Sequence, residues 1–153
     1  MKLDTDIDAL RAVIALPLIE GVGLRKAKDL IRHYGSAQAA LENDHKLAGI
    51  QAATERANQE LEFIEKHHLS TWYFEDADYP QRLAQCPDCP LLLFGKGNLR
   101  LNEGKFVSVV GTRSPSDRGK QQCRDLIMDL AQKVPDVTIV NGLAYGIDVT
   151  AHR

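Results

Sequence analysis

Two short apolar runs in the last third of the chain constrain its fold more than any other feature. Phe106-Val-Ser-Val-Val110 leads into Gly111-Thr-Arg113, and Val137-Thr-Ile-Val140 leads into Asn141-Gly-Leu-Ala-Tyr-Gly-Ile-Asp148. Between them, Ser116 to Lys133 carries Cys123, Ile127, Leu130 and Ala131 at helical spacing, the face expected to meet a sheet. Strand, glycine turn, crossover helix and second strand make a β-α-β unit with parallel strands. Parallel pairing sets the two glycine turns side by side, where backbone N–H groups and helix N-termini can hold an anion. Arg113 adds a guanidinium suited to bidentate contact with a phosphate.

The same turns exclude two familiar nucleotide sites. Gly111-Thr-Arg-Ser-Pro-Ser-Asp-Arg-Gly119 is not G-x-G-x-x-G, and Asn141-Gly142 stands where a dinucleotide site would place an acidic residue for the ribose. No G-x-x-x-x-G-K-[ST] occurs either, so a P-loop is excluded and no cofactor is expected. What remains is a phosphate cradle with the hydroxyls of Thr112, Ser114 and Ser116 around it, and with Arg118 and Lys120 adding longer-range attraction. Tight strand-to-helix packing is the competing explanation for Gly142 and Gly146. Asp148 reads as a carboxylate favouring a helix N-terminus. His152 has no partner in a nucleophile arrangement, so no catalytic residue is assigned and no enzyme is expected.

The first 68 residues read as helical. Ile7, Leu10, Val13, Ile14 and Leu16 mark a helix over about 5–16 that Pro17 ends; Leu24 to Tyr34 forms a second, with Gly35 as its cap; Ser36 caps a short third; and Gln51 to His67 forms a longer fourth. Leu18-Ile-Glu-Gly-Val-Gly-Leu-Arg-Lys-Ala27 has helix-hairpin-helix spacing. Gly21 and Gly23 make its turn, Ala27 falls where the helices pack closest, and Arg25 and Lys26 open the next helix within reach of a phosphate backbone. Arg25, Lys26, Lys28 and Arg32 form a basic group there. Two readings stay open: sequence-independent DNA contact, or an αα-hairpin that serves packing or a protein partner.

Composition shifts near Leu69. Thr71-Trp-Tyr-Phe74 and Leu91 to Phe94 read as strands, candidates to extend the parallel sheet, with a short helix over 79–85 between them. Cys86-Pro-Asp-Cys89 has only His67 and His68 as companions and fits no common zinc site, and Pro87 and Pro90 make it an extended turn where a redox pair would want its first cysteine opening a helix, so neither a metal nor a redox role is expected. The net charge of −2 over 153 residues leaves nucleic-acid binding to local basic clusters. No apolar run approaches the roughly 20 residues of a membrane span, and a soluble cytoplasmic protein is expected. Two core strands leave a parallel sheet with open edges, so the chain is expected to be an N-terminal piece of a longer protein.

Tyr79-Pro-x-x-Leu83, Asp88-x-Pro90, Leu93-x-Gly95-x-Gly97-Asn98, Val109-Val-Gly-Thr-Arg113 and Gly142-Leu-Ala-x-Gly-Ile-Asp-x-x-Ala-His152, in this order, resemble the DNA-processing protein A (DprA/Smf) family. The resemblance implies an α/β chain in two parts. A helix-hairpin-helix (SAM-like) domain over 1–68 precedes the first part of an extended Rossmann-like sheet over 69–153. It also implies a single-stranded DNA binder that protects incoming DNA and loads the RecA recombinase in natural transformation, with a homodimer in the full-length protein. By that resemblance the strand is held by Gly111, Thr112, Arg113 and Ser114 with Lys120, and by Asn141, Gly142, Leu143 and Ala144. Asn141 stands where serine is common in the family, and Asp117 puts a carboxylate near the phosphate path. The alternatives are a nucleotide-handling enzyme of the nucleoside-monophosphate hydrolase type and a protein-interaction role for the helical domain.

Overall fold

The computed structural model describes residues 6–153, so the expected helix start at residue 5 lies outside the described residues. The chain divides into two compact units, Met1–Asn102 and Glu103–Arg153.

In the first unit, α1 (Ile7–Ala15) begins at Asp6, whose carboxylate accepts from the N–H groups of Asp8 and Ala9, an N-cap that supplies two otherwise orphaned donors with a partner. Pro17 does not stop the chain's coiling outright: a 3-10 turn over Leu16–Leu18 carries it one step further, with Pro17 in the first turn where its missing N–H costs nothing. After the hairpin, α2 (Leu24–Tyr34) ends on Gly35 at φ 85°, the left-handed cap that its glycine predicts. Ser36 caps α3 (Ala37–Asn43), and α4 (Ile50–His67) closes the bundle. The core is built on Leu10, Val13, Ile14, Leu16, Ile19, Val22, Leu30 and Ile31. Ala15, Ala27, Ala40 and Ala57, each fully buried, let the helices approach closely.

The strands β1 (Ser70–Tyr73) and β2 (Leu92–Gly95) correct one expectation. They pair antiparallel with each other, Ser70 opposite Gly95 and Tyr73 opposite Leu92, and add nothing to the parallel sheet. The physical reason is their apolar face: Tyr73 and Leu91 are buried in the helical core, with Phe74 and Leu92 packed against it. Segment 69–102 therefore folds onto the helices, and the compact unit ends at Asn102 where the sequence places a boundary at 68/69. Asn102 ties its own end down: its side chain accepts from the Gln81 N–H and donates to the Asp78 and Tyr79 carbonyls at the start of α5 (Gln81–Ala84).

The second unit is the β-α-β element. β3 (Lys105–Ser108) and β4 (Val137–Val140) pair in parallel, Lys105 opposite Val137 and Ser108 opposite Val140, with α6 (Asp117–Lys133) as the crossover. Cys123 of α6 is buried and Ile127 and Leu130 are half-buried, but Ala131, expected on the sheet face, is exposed. The last helix, α7 (Ile147–Thr150), is a single turn that begins two residues after the expected Tyr145. Among the described residues no helix is long and apolar enough to cross a membrane, and no group of three or more His, Cys, Asp or Glu could hold a metal ion.

Candidate functional site

The two glycine turns of the second unit interlock. The Ile147 N–H donates to the Thr112 carbonyl at 3.2 Å. Gly146, at φ 92°, lies so close to the first turn that a Cβ there would collide with the Thr112 carbonyl oxygen and would sit 2.8 Å from both Cα and C of Arg113. Reciprocally, a Cβ on Gly111 would lie 2.6 Å from the Ile147 side chain. Packing thus accounts for Gly111 and Gly146. It does not account for Gly142, whose Cβ would meet only the Asp148 carboxylate at an ordinary 3.6 Å.

The second turn is held by polar contacts that also fix the roles of its residues. Asn141 Oδ1 accepts from the Leu143 N–H at 2.9 Å and lies 3.1 Å from His152 Nε2, while Asn141 Nδ2 donates to the Asp148 carbonyl at 2.9 Å. The Asp148 carboxylate is buried and faces the Ala144 N–H at 3.4 Å. Asp148 is therefore a loop staple, where the sequence suggests a helix-dipole role. Asn141 is engaged at both ends of its amide within the loop. Leu143 is held at φ 53°, exposed, and Tyr145 is, among the described residues, the most exposed large apolar side chain at 85%. Tyr145 was not singled out by its sequence pattern, because an aromatic residue inside a glycine motif carries no periodicity signal.

In the first turn, Thr112 Oγ1 accepts from the Ser114 N–H, and Ser116 caps α6 by accepting from the Gly119 N–H. The helix N-termini contribute less than the sequence suggests. That of α6 is already capped and carries Asp117 in its first turn, and α7 is too short to build an appreciable dipole. Lys120, expected as a long-range attractor, is half-buried and pairs with Asp117 at 3.2 Å. Arg113 differs from all of these: its guanidinium is exposed and makes no ion pair or hydrogen bond with any described residue. The backbone N–H groups of Thr112, Arg113 and Gly142 likewise donate to no described group. Unpaired N–H donors and an unpaired guanidinium thus stand on loops braced against each other, groups of the kind that contact anions.

In the helical unit, Gly21 takes φ 74° and Gly23 precedes α2 in extended geometry. Ala27, four residues on, is fully buried at the hairpin. Arg25 and Lys26 are exposed, with Lys26 Nζ 3.4 Å from the Gly21 carbonyl. Lys28 leaves the expected basic group: it is buried and turned inward, toward the turn after α5.

The sequence model of the family described as DNA recombination-mediator protein A matches residues 70–153, more than half of the chain. The chain belongs to this DprA/Smf family. Protein Smf of Synechocystis is 37% identical over 99 residues, 60% of this chain and 24% of that protein. The DNA processing protein DprA of Streptococcus pneumoniae is 43% identical over 77 residues, 50% of this chain and 26% of its own length. The chain thus spans about a quarter of each of these curated relatives. The X-ray structure of DNA processing protein A (DprA) from Streptococcus pneumoniae matches with a TM-score of 0.61 at 25% identity, over 99% of this chain and 53% of that one. The family match starts at residue 70, ahead of the interlocked turns, and so includes both β1 and β2, which pack on the helices.

Proposed function

We infer that the paired glycine turns of this DprA-family chain are part of a surface for single-stranded DNA, which they bind without catalysis. The observation that carries the reading is the unpaired Arg113 guanidinium on a turn whose backbone is locked by Gly146 and Ile147. A fixed cation beside unused N–H donors suits a phosphate backbone and discriminates little between bases. Gly142 supplies a further open N–H from the second turn, and Thr112 and Ser114 supply hydroxyls at the rim. Asn141, Ala144 and Asp148 act by holding the loop. Lys120 and Arg118 contribute at longer range, Lys120 weakly because of Asp117.

Fluorescence anisotropy with a labelled oligothymidylate, repeated across a salt series, tests the reading. Log affinity should fall linearly with log salt at roughly 0.7 per phosphate contacted. Binding that ignores salt would contradict it. RecA loading, assembly with a second copy and cytoplasmic residence are proposals for full-length members, to be tested by pull-down of RecA and by sizing of the complete protein. A second reading concerns the hairpin: with Lys28 turned inward and the exposed Arg32 3.7 Å from Asp29, Arg25 and Lys26 are the outward-facing cations of the group nearest the hairpin turn, which favours a protein-contact or packing role over DNA. Charge reversal at Arg25 and Lys26 that left DNA affinity unchanged would support that role.

A further inference from the structure

The helical unit holds a group of side chains that the glycine turns do not use. Lys28 of α2 is only 5% exposed. Its Nζ donates to the Cys89 sulfur at 3.0 Å and to the Pro87 carbonyl at 3.2 Å, and lies 5.4 Å from the centre of the Phe74 ring. Cys89 and the neighbouring Tyr79 are buried, with Tyr79 anchoring the turn by donating to the Pro90 carbonyl at 2.8 Å. Cys86, three residues earlier, is exposed. Burying an ammonium is costly unless its donors are met, and here the Cys89 sulfur and the Pro87 carbonyl are the acceptors that meet them.

The backbone brings the second thiol within reach. The Cys89 N–H donates to the Cys86 carbonyl at 3.1 Å across Pro87-Asp88, closing a β-turn. Such a turn holds its first and fourth Cα within about 7 Å, which overlaps the roughly 4.4–6.8 Å over which a disulfide closes. One thiol is open to solvent and the other is held beside a cation, so the two are suited to different steps.

We propose that Cys86 and Cys89 form an oxidisable dithiol that reacts with hydrogen peroxide, Cys86 being the thiol that attacks the peroxide and Cys89 the resolving one, positioned by Lys28. In the first step the Cys86 sulfur attacks a peroxide oxygen, the O–O bond breaks, and the leaving oxygen takes up a proton to depart as water, leaving Cys86 as a sulfenic acid. In the second step the Cys89 sulfur attacks the Cys86 sulfur, the S–O bond breaks, and a second water leaves. Two thiols and one hydrogen peroxide give one disulfide and two waters. Closure also turns the thiol sulfur that Lys28 Nζ meets into a disulfide sulfur, which couples the redox state of the turn to its contact with α2.

The test uses the whole chain, treated with hydrogen peroxide, denatured, alkylated with iodoacetamide and digested with trypsin; both cysteines fall in peptide 83–96. The expected result is an unlabelled peptide about 2 Da lighter, restored by dithiothreitol. Cys123, in the second unit, is the internal reference. In Cys89→Ser, Cys86 should stop at the sulfenic acid and be trapped by dimedone. Lys28→Met should slow closure at least tenfold while trapped sulfenic acid accumulates, and Lys28→Arg should restore it. Should Lys28→Met not fold, the wild-type and Cys89→Ser results decide alone. Full labelling of Cys86 and Cys89 after peroxide, or Cys86 recovered only in disulfides between molecules, would overturn the proposal.

Discussion

Gly146→Ala is the sharpest perturbation of the braced turns. Gly146 sits at φ 92° and ψ −123°, a backbone conformation open essentially to glycine alone. Forcing an L side chain into it costs about 1–3 kcal/mol. The added Cβ also meets backbone, the Thr112 carbonyl and the Cα and C of Arg113, which cannot turn aside as a flexible side chain would. Relieving such overpacking costs roughly another 1–3 kcal/mol. The sum, about 2–6 kcal/mol, corresponds to between one and four powers of ten in a local opening equilibrium. Gly142→Ala is the matched control, since its Cβ has only the 3.6 Å contact with Asp148 and its φ lies outside the left-handed region. Its effect should stay within about 1 kcal/mol of zero. Amide hydrogen exchange of β4 and α6 reads both variants in the unit where they lie. Equal protection in the two would refute the claim that Gly146 holds the turns together by its lack of a side chain.

Three further expectations follow from named contacts. Ala27→Leu, at a fully buried position of the hairpin, should destabilise the helical unit by about 1–3 kcal/mol in urea unfolding, because the close helix approach leaves no room for added carbons. Stability of the same unit should fall above about pH 10. Burial first, then the nearby Cys89, raises the Tyr79 phenol, and burial with Glu75 and Asp76 raises that of Tyr73. The unfolded chain then releases these protons before the folded one does, so the stabilisation is whole below pH 10 and is lost as pH rises beyond it. Tyr79→Phe should flatten that loss in alkaline unfolding curves, and an unchanged slope would contradict the assignment. Asp148→Ala should loosen the second turn and raise exchange at the Ala144 amide, whereas Asp148→Asn, which keeps a carbonyl oxygen, should do so less.

Local signals were legible where a residue type has one physical use. Gly35 at the end of α2, Ser36 before α3 and the apolar strands flanking α6 follow their patterns directly. What escaped the sequence depends on partners distant in the chain. Lys28 sits at the same helical spacing as its solvated neighbours, and only the turn over 86–89 makes it a buried group. Strands 70–73 and 92–95 are apolar enough for either sheet, and their destination was decided by Tyr73 and Leu91 finding the helical core. In the site, Arg113 lies exposed on the first turn, where its place after a strand and a glycine puts it. The other named residues divided on folding. Lys120 is drawn to Asp117, and Asn141 is absorbed into the loop by Leu143, Asp148 and His152. Hydrogen bonds of that kind depend on side-chain direction, which spacing alone does not convey.

The reading of the paired turns rests most heavily on Arg113, and one comparison tests it directly: anisotropy titration of wild type and Arg113→Ala against two oligonucleotides of unrelated sequence, over a salt series. Loss of a phosphate contact should weaken both oligonucleotides by a similar factor and reduce the salt slope by about 0.7. Equal affinity of wild type and variant for both strands, at an unchanged slope, would contradict the account.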